Sequence, residues 1–216
     1  MSDATNQSSQ KALWNVPNVL TIARIVLSIV IFVLIPFKFY ITSLVLFVIA
    51  AVTDYVDGWW ARKYKQQTQF GRIMDPFADK ALVCGTLIYL VSVPELHKVL
   101  TFTNCSVYLG LATWMVVAII LRELFITMLR SMVESSGGDF SAKWVGKWKT
   151  TLQCIDVPMA FLILIYQERG IDVPMWLRVG FLACLYVVVY LTLYSGWVYI
   201  RAAINMSRKD QNQSAS

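Results

Sequence analysis

The sequence predicts an all-α integral membrane bundle of six transmembrane helices preceded by a short N-terminal interfacial segment. Three observations carry that expectation. Of 216 residues, 57% are hydrophobic and only 15% are charged, whereas a soluble domain carries about 25% charge. The apolar residues stand in blocks, several reaching the ~20 residues that cross a bilayer. The basic residues gather in alternate connections between those blocks, as positive-inside sorting requires.

The blocks place spans at 18–37, 41–62, 71–94, 106–132, 147–166 and 174–200. The first could be confused with a secretory signal. Its apolar run outlasts a signal core and no small-x-small cleavage site follows, so it reads as an uncleaved helix. An even number of spans puts both ends of the chain on one side. Lys11, the 62–72 connection, the 130–149 region and Arg201, Arg208 and Lys209 share that side, which is therefore cytoplasmic. Trp14, Trp59, Trp60, Trp148, Trp176 and Trp197 fall near span ends, where interfacial anchors sit. Residues 1–13 and 205–216 are polar and read as a flexible arm and tail around a six-helix transmembrane unit at 14–204. Cys84, Cys105, Cys154 and Cys184 show no metal-ligand spacing and read as ordinary helix residues.

The stretch TDYVDGWWARKYKQQTQFGRIMDPFADK puts Asp54, Asp57, Asp75 and Asp79 between two apolar blocks. Spacings of three and four place each pair on one helical face, and the short connection makes the helices antiparallel neighbours. Carboxylates converging on one small volume require cations. Either divalent ions supply them, an all-oxygen set suiting Mg²⁺ or Mn²⁺, or the aspartates pair with Arg62, Lys63, Arg72 and Lys80. Gly58, Ala61 and Gly71 leave open backbone beside the carboxylates for a ligand. The only histidine, His97, falls in an outer loop, which disfavours covalent catalysis at the aspartates.

The pattern Asp54-x-x-Asp57-Gly58-x-x-Ala61-Arg62-x8-Gly71-x3-Asp75-x3-Asp79 resembles the motif of the CDP-alcohol phosphatidyltransferase family at every fixed position. The resemblance runs from about Trp14 to about Ala203. It implies a six-span enzyme with two divalent ions, Mg²⁺ or Mn²⁺, near the cytoplasmic face, and a homodimer in a bacterial-type inner membrane or a mitochondrial one. Carried over residue by residue, Asp54, Asp57 and Asp75 are metal ligands, and Asp79 is ligand and general base. Gly58, Ala61 and Gly71 border the cytidine pocket, Arg62 meets the donor phosphates, and Asn18 and Thr21 contact the nucleotide. Asn18 and Thr21 could equally cap the first helix beside Pro17.

The second half addresses the acceptor. LRELFITMLR sets Arg122 and Arg130 about two turns apart on one face, and GKWKTTLQ brings Lys147 and Lys149. Cations facing a bundle interior suit an anionic substrate or a carboxylate partner. Glu123, adjacent in sequence, is expected to point away from Arg122. RELxxTxLR followed by GKxKTxxQ is similar to the family branch that uses glycerol 3-phosphate. That likeness implies transfer of phosphatidyl from CDP-diacylglycerol to glycerol 3-phosphate, releasing CMP, among membrane lipids and with no nucleic-acid partner. Rival readings are other branches of the family (cardiolipin, phosphatidylserine or phosphatidylinositol-phosphate synthesis), a prenyltransferase, and an ion or proton transporter. Asp156 is expected to make a helix-packing contact.

Overall fold

The structure, a computed structural model, describes the backbone of residues 16–64, 69–101, 108–135 and 144–214. Side chains are described for 19–54, 74, 77–99, 109–128 and 149–197. Trp14 and the expected interfacial segment lie outside the described residues, as does Cys105.

Among the described residues six α-helices run in order: α1 Val16–Leu34, α2 Tyr40–Tyr64, α3 Gln69–Val91, α4 Thr113–Ser135, α5 Trp144–Glu168 and α6 Met175–Ser214. α1 packs mainly on α2 and α3, α5 on α6 and α2, and α4 on α6 and α3. Buried positions recur at spacings of three and four. On α1 they are Thr21, Arg24, Ser28 and Ile31, with Ile35 just past its end; on α2 they are Tyr40, Ser43, Phe47 and Ala50. That period marks one face of a helix.

The burial pattern is inside-out for a soluble protein. Arg24, Lys149, Gln153, Asp156, Thr192 and Ser195 are buried, while Val26, Val33, Val52, Leu121, Met128 and Leu193 are exposed. Water would penalise such a surface, and hydrocarbon would not. Lys149–Glu168 and Met175–Trp197 are each long and apolar enough to cross a membrane, with only 39% of each window buried. A soluble core helix of that composition would be mostly enclosed. Val19–Leu34 and Tyr40–Asp54 are shorter apolar stretches. The chain is therefore a helical membrane protein. Ser28 and Thr192, buried inside the bundle, donate to their own helices, Ser28 to the Arg24 carbonyl at 2.8 Å and Thr192 to that of Val188 at 2.7 Å, which satisfies each hydroxyl in an apolar setting.

Two boundaries differ from expectation. The fourth helix starts at Thr113 rather than near 106. Its approach is spent on a two-residue antiparallel pairing, β1 Leu100–Thr101 with β2 Tyr108–Leu109, and on docking against the 3-10 turn Pro94–Lys98. Leu111 donates to the Leu96 carbonyl at 2.8 Å. A Cβ at Gly110 would stand 2.2 Å from that oxygen, so only glycine allows the approach. At the other end α6 runs to Ser214, past the expected span end at 200 and through most of the segment read as a flexible tail. The run RAAINMSRKDQNQ holds no glycine or proline to stop a helix.

Candidate active site

Asp54 lies ten residues before the end of α2 and Asp79 ten after the start of α3. At 1.5 Å per residue both sit about 15 Å from the connection between those helices, and so at one depth. The packing stripe of α2 (Tyr40, Ser43, Phe47, Ala50) reaches Asp54 at its next step. Burying the apolar face thus delivers the carboxylate to the bundle.

Asp54 is ion-paired with Arg24 of α1, whose side chain is 0% exposed against 39% for Asp54. Arg24 adds a partner beyond the expected Arg62, Lys63, Arg72 and Lys80, of which Lys80 neighbours Asp79 and the other three have side chains outside the described set. A lone cation inside the apolar run 19–35 was the available signal, because an intramembrane arginine needs a partner. Asp79 has Asp54, Arg24, Glu123 and Lys80 as electrostatic neighbours. Thr21 is buried one turn before Arg24 on the same face. Asn18, Asp57, Gly58, Ala61, Arg62, Gly71 and Asp75 lie on described helices, with their side chains outside the described set. Among the described residues no group of three or more acidic, His or Cys side chains forms a metal site. That set includes only Asp54 and Asp79 of the four aspartates.

Lys80, the residue after Asp79, turns into a second cluster centred on Glu123 of α4. Lys149 of α5 is buried and ion-paired with Glu123. Arg122 Nη1 donates to Glu123 Oε1 at 2.9 Å, and its Nε donates to Ser195 Oγ of α6 at 3.0 Å. Lys80 Nζ is 4.0 Å from Glu123 Oε2 and also donates to Thr127 Oγ1. The expectation that Glu123 points away from Arg122 is overturned. Both side chains are long enough to curl around the helix towards the interior, where Lys149 and Lys80 draw the carboxylate inward. Arg122 and Lys149, both named from the sequence, are thus brought together on Glu123. The side chains of Arg130 and Lys147 lie outside the described set. Glu123, Lys80, Thr127 and Ser195 were missed, because their meeting depends on how four helices pack.

The described cluster holds three cations to one carboxylate, an excess suited to a phosphomonoester of charge about −2. A cavity of about 460 Å³ opens between α2 and α5, lined by Phe47, Val48, Asp54, Thr151, Cys154 and Pro158 among others. Apolar along Phe47 and Val48 and polar at Asp54 and Thr151, it suits an amphipathic ligand whose head meets the carboxylate. Pro158 cannot donate to the Cys154 carbonyl, which loosens α5 at this wall. A second cavity, about 410 Å³, lies at the other end of the bundle, lined by Lys38, Tyr40, Glu95, Gln167 and Glu168. Exposed His97 is on that side, its Nε2 2.6 Å from the Val91 carbonyl, away from the aspartates as expected. Cys84, Cys154 and Cys184 are free thiols.

Comparison with known proteins extends the geometry. The family model described as CDP-alcohol phosphatidyltransferase matches residues 14–208. A Bacillus subtilis protein is 36% identical over 207 residues, covering 87% of this chain and 94% of its own. Relatives from Sodalis glossinidius and Haemophilus influenzae are 35% and 31% identical, each covering 88% of this chain and 94% of its own. All three bear the name CDP-diacylglycerol–glycerol-3-phosphate 3-phosphatidyltransferase. With nearly its whole length matched, and with two of the motif's aspartates meeting at one depth, the chain belongs to the CDP-alcohol phosphatidyltransferase family.

Proposed function

We propose that this protein transfers the phosphatidyl group of CDP-diacylglycerol to glycerol 3-phosphate, giving phosphatidylglycerophosphate and CMP. The observation that carries this is the adjacency, through consecutive Asp79 and Lys80, of a carboxylate cluster and a cation cluster. The first suits a metal-held pyrophosphate and the second an acceptor with its own phosphate. The names of the relatives support the same acceptor.

The residues fit divalent metal. Asp54 and Asp79 are neighbouring hard-oxygen donors, balanced among the described side chains by buried Arg24 and by Lys80. Asp54, Asp57, Asp75 and Asp79 would hold two ions, Mg²⁺ or Mn²⁺. When bound, these neutralise the pyrophosphate and stabilise the departing phosphate. Asp79 accepts the proton of the acceptor's primary hydroxyl. The hydroxyl oxygen forms a bond to the β-phosphorus, the bond from that phosphorus to the CMP oxygen breaks, and CMP leaves with the electron pair. Arg122 and Lys149, with Arg130 and Lys147, hold the acceptor phosphate. Gly58, Ala61, Arg62 and Gly71, with Asn18 and Thr21, receive the nucleotide.

The six helices are read as six spans. The shortest, α1 at 19 residues, is about 28 Å long, close to the hydrocarbon thickness. The aspartate end faces the cytoplasm of a bacterial inner membrane, and the assembly is a homodimer. CMP release from CDP-diacylglycerol with Mg²⁺ tests the reading, with glycerol 3-phosphate, serine, inositol phosphate and phosphatidylglycerol offered separately. Release with glycerol 3-phosphate alone, lost in Asp79→Asn and with chelator, is expected. Release with another acceptor would overturn the acceptor assignment, and no release from folded protein would overturn the enzyme assignment.

A further inference from the structure

On α5 the inward face carries Lys149, Gln153 and Asp156 in succession, 1%, 5% and 3% exposed. Lys149 is ion-paired with Glu123. Gln153 Nε2 and Asp156 Oδ1 have no hydrogen-bond partner among the described residues, and they do not bond each other although three residues apart on one face. One is a donor and the other an acceptor, both held in a low-dielectric interior where an unmet polar atom is costly. A hydroxyl both accepts and donates, so a single hydroxyl completes both atoms. Cys154, next in the chain to Gln153, shares a cavity wall with Asp54, which puts Gln153 at the depth of the reacting carboxylates. Lys149, one turn away, belongs to the cluster assigned to the acceptor phosphate.

We infer that Gln153 and Asp156 bind the secondary hydroxyl of the acceptor, so that the enzyme selects a phosphorylated polyol with a hydroxyl between its phosphate and its attacking end. The inference rests on the proposed reaction. Glycerol 3-phosphate offers three polar groups, and the bundle presents a receiver for each. The phosphate meets Arg122 and Lys149, the primary hydroxyl meets Asp79, and the middle hydroxyl meets Gln153 and Asp156. A site built to hydrogen-bond a substrate hydroxyl discriminates strongly against the analogue lacking it, because its own buried groups are then left unmet.

The test compares kcat/KM for glycerol 3-phosphate and for 3-hydroxypropyl phosphate, which lacks only the middle hydroxyl. It uses the full-length protein with CDP-diacylglycerol and Mg²⁺, and the variants Gln153→Met and Asp156→Asn. The wild type is expected to prefer glycerol 3-phosphate by about 100-fold or more. In both variants the glycerol 3-phosphate value falls further than the other, and the preference drops at least tenfold. Equal use of the two acceptors by the wild type overturns the inference without reference to any variant. A preference kept in both variants also overturns it, and assigns the two atoms to a buried water. Parallel loss of both values in both variants overturns it too, making the pair structural. Absence of CMP release from the wild type with either acceptor counts instead against the reaction itself.

Discussion

Removing the Glu123 charge should destabilise the bundle more than removing any one of its cations. Glu123→Gln keeps the shape and leaves Lys80, Arg122 and Lys149 facing a neutral amide. Lys149 is 1% exposed and Arg122 10%, so little water reaches them. A unit pair at the 4.0 Å of Lys80 and Glu123 is worth about 4 kcal/mol at an effective dielectric near 20. Lys80 is 27% exposed, which lowers that figure. Breaking a buried pair from one side costs about 3–5 kcal/mol, and that is the expected loss for Glu123→Gln. Lys149→Met leaves Glu123 with Arg122 at 2.9 Å and Lys80, so the loss is smaller, about 1–3 kcal/mol. The double variant should fall short of the sum by about 1–3 kcal/mol. Reversible unfolding in mixed micelles measures all three, and glycerol 3-phosphate turnover should stay low even where stability returns. Additivity within about 0.5 kcal/mol would refute the claim that the two residues share one buried network.

Arg24→Met should cost the metal-free protein about 1–3 kcal/mol, held at the low end because Asp54 is part exposed. Added Mn²⁺ should stabilise the variant more than the wild type in a thermal ramp, since the ion no longer competes with a buried arginine. A Cβ at Gly85 would stand 2.1 Å from the Phe32 ring, which stacks on Tyr89 at 5.4 Å. Gly85→Leu is therefore expected to destabilise by about 1–3 kcal/mol, with part regained on adding Phe32→Ala, as read by unfolding. α1 closes with Lys38 at φ 63°, its N–H bonded to the Ile35 carbonyl and that of Phe39 to Leu34. This is the glycine-favouring form of helix end, so Lys38→Gly should raise stability by a few tenths to about 1 kcal/mol. α5 ends the same way at Gly170, φ 67°, and Gly170→Ala should lose a similar amount in the same assay.

The sequence by itself determined the class of the protein and carried the proposal for where its chemistry lies. Blocks of apolar residues can be satisfied only in hydrocarbon, and spacings of three and four fix which residues share a helical face wherever that helix sits. Asp54 and Asp79, Arg122 and Lys149 were legible on those grounds, and so was the family. Spacing along one helix says nothing about which face of another helix it meets. The pairing of Asp54 with Arg24, and the convergence of Lys80, Arg122 and Lys149 on Glu123, were decided only when α1 packed on α2 and α4 met α3 and α6. Glu123 shows the difference most plainly. Read along α4 it points away from Arg122, whereas in the packed bundle two cations from neighbouring helices draw the carboxylate inward and Arg122 is held to it at 2.9 Å. The same holds for Gln153, and for Asp156, which in the sequence is expected to make a helix-packing contact. Packing buried them and left one donor and one acceptor unmet among the described residues, which is a property of the assembled interior and of no single helix.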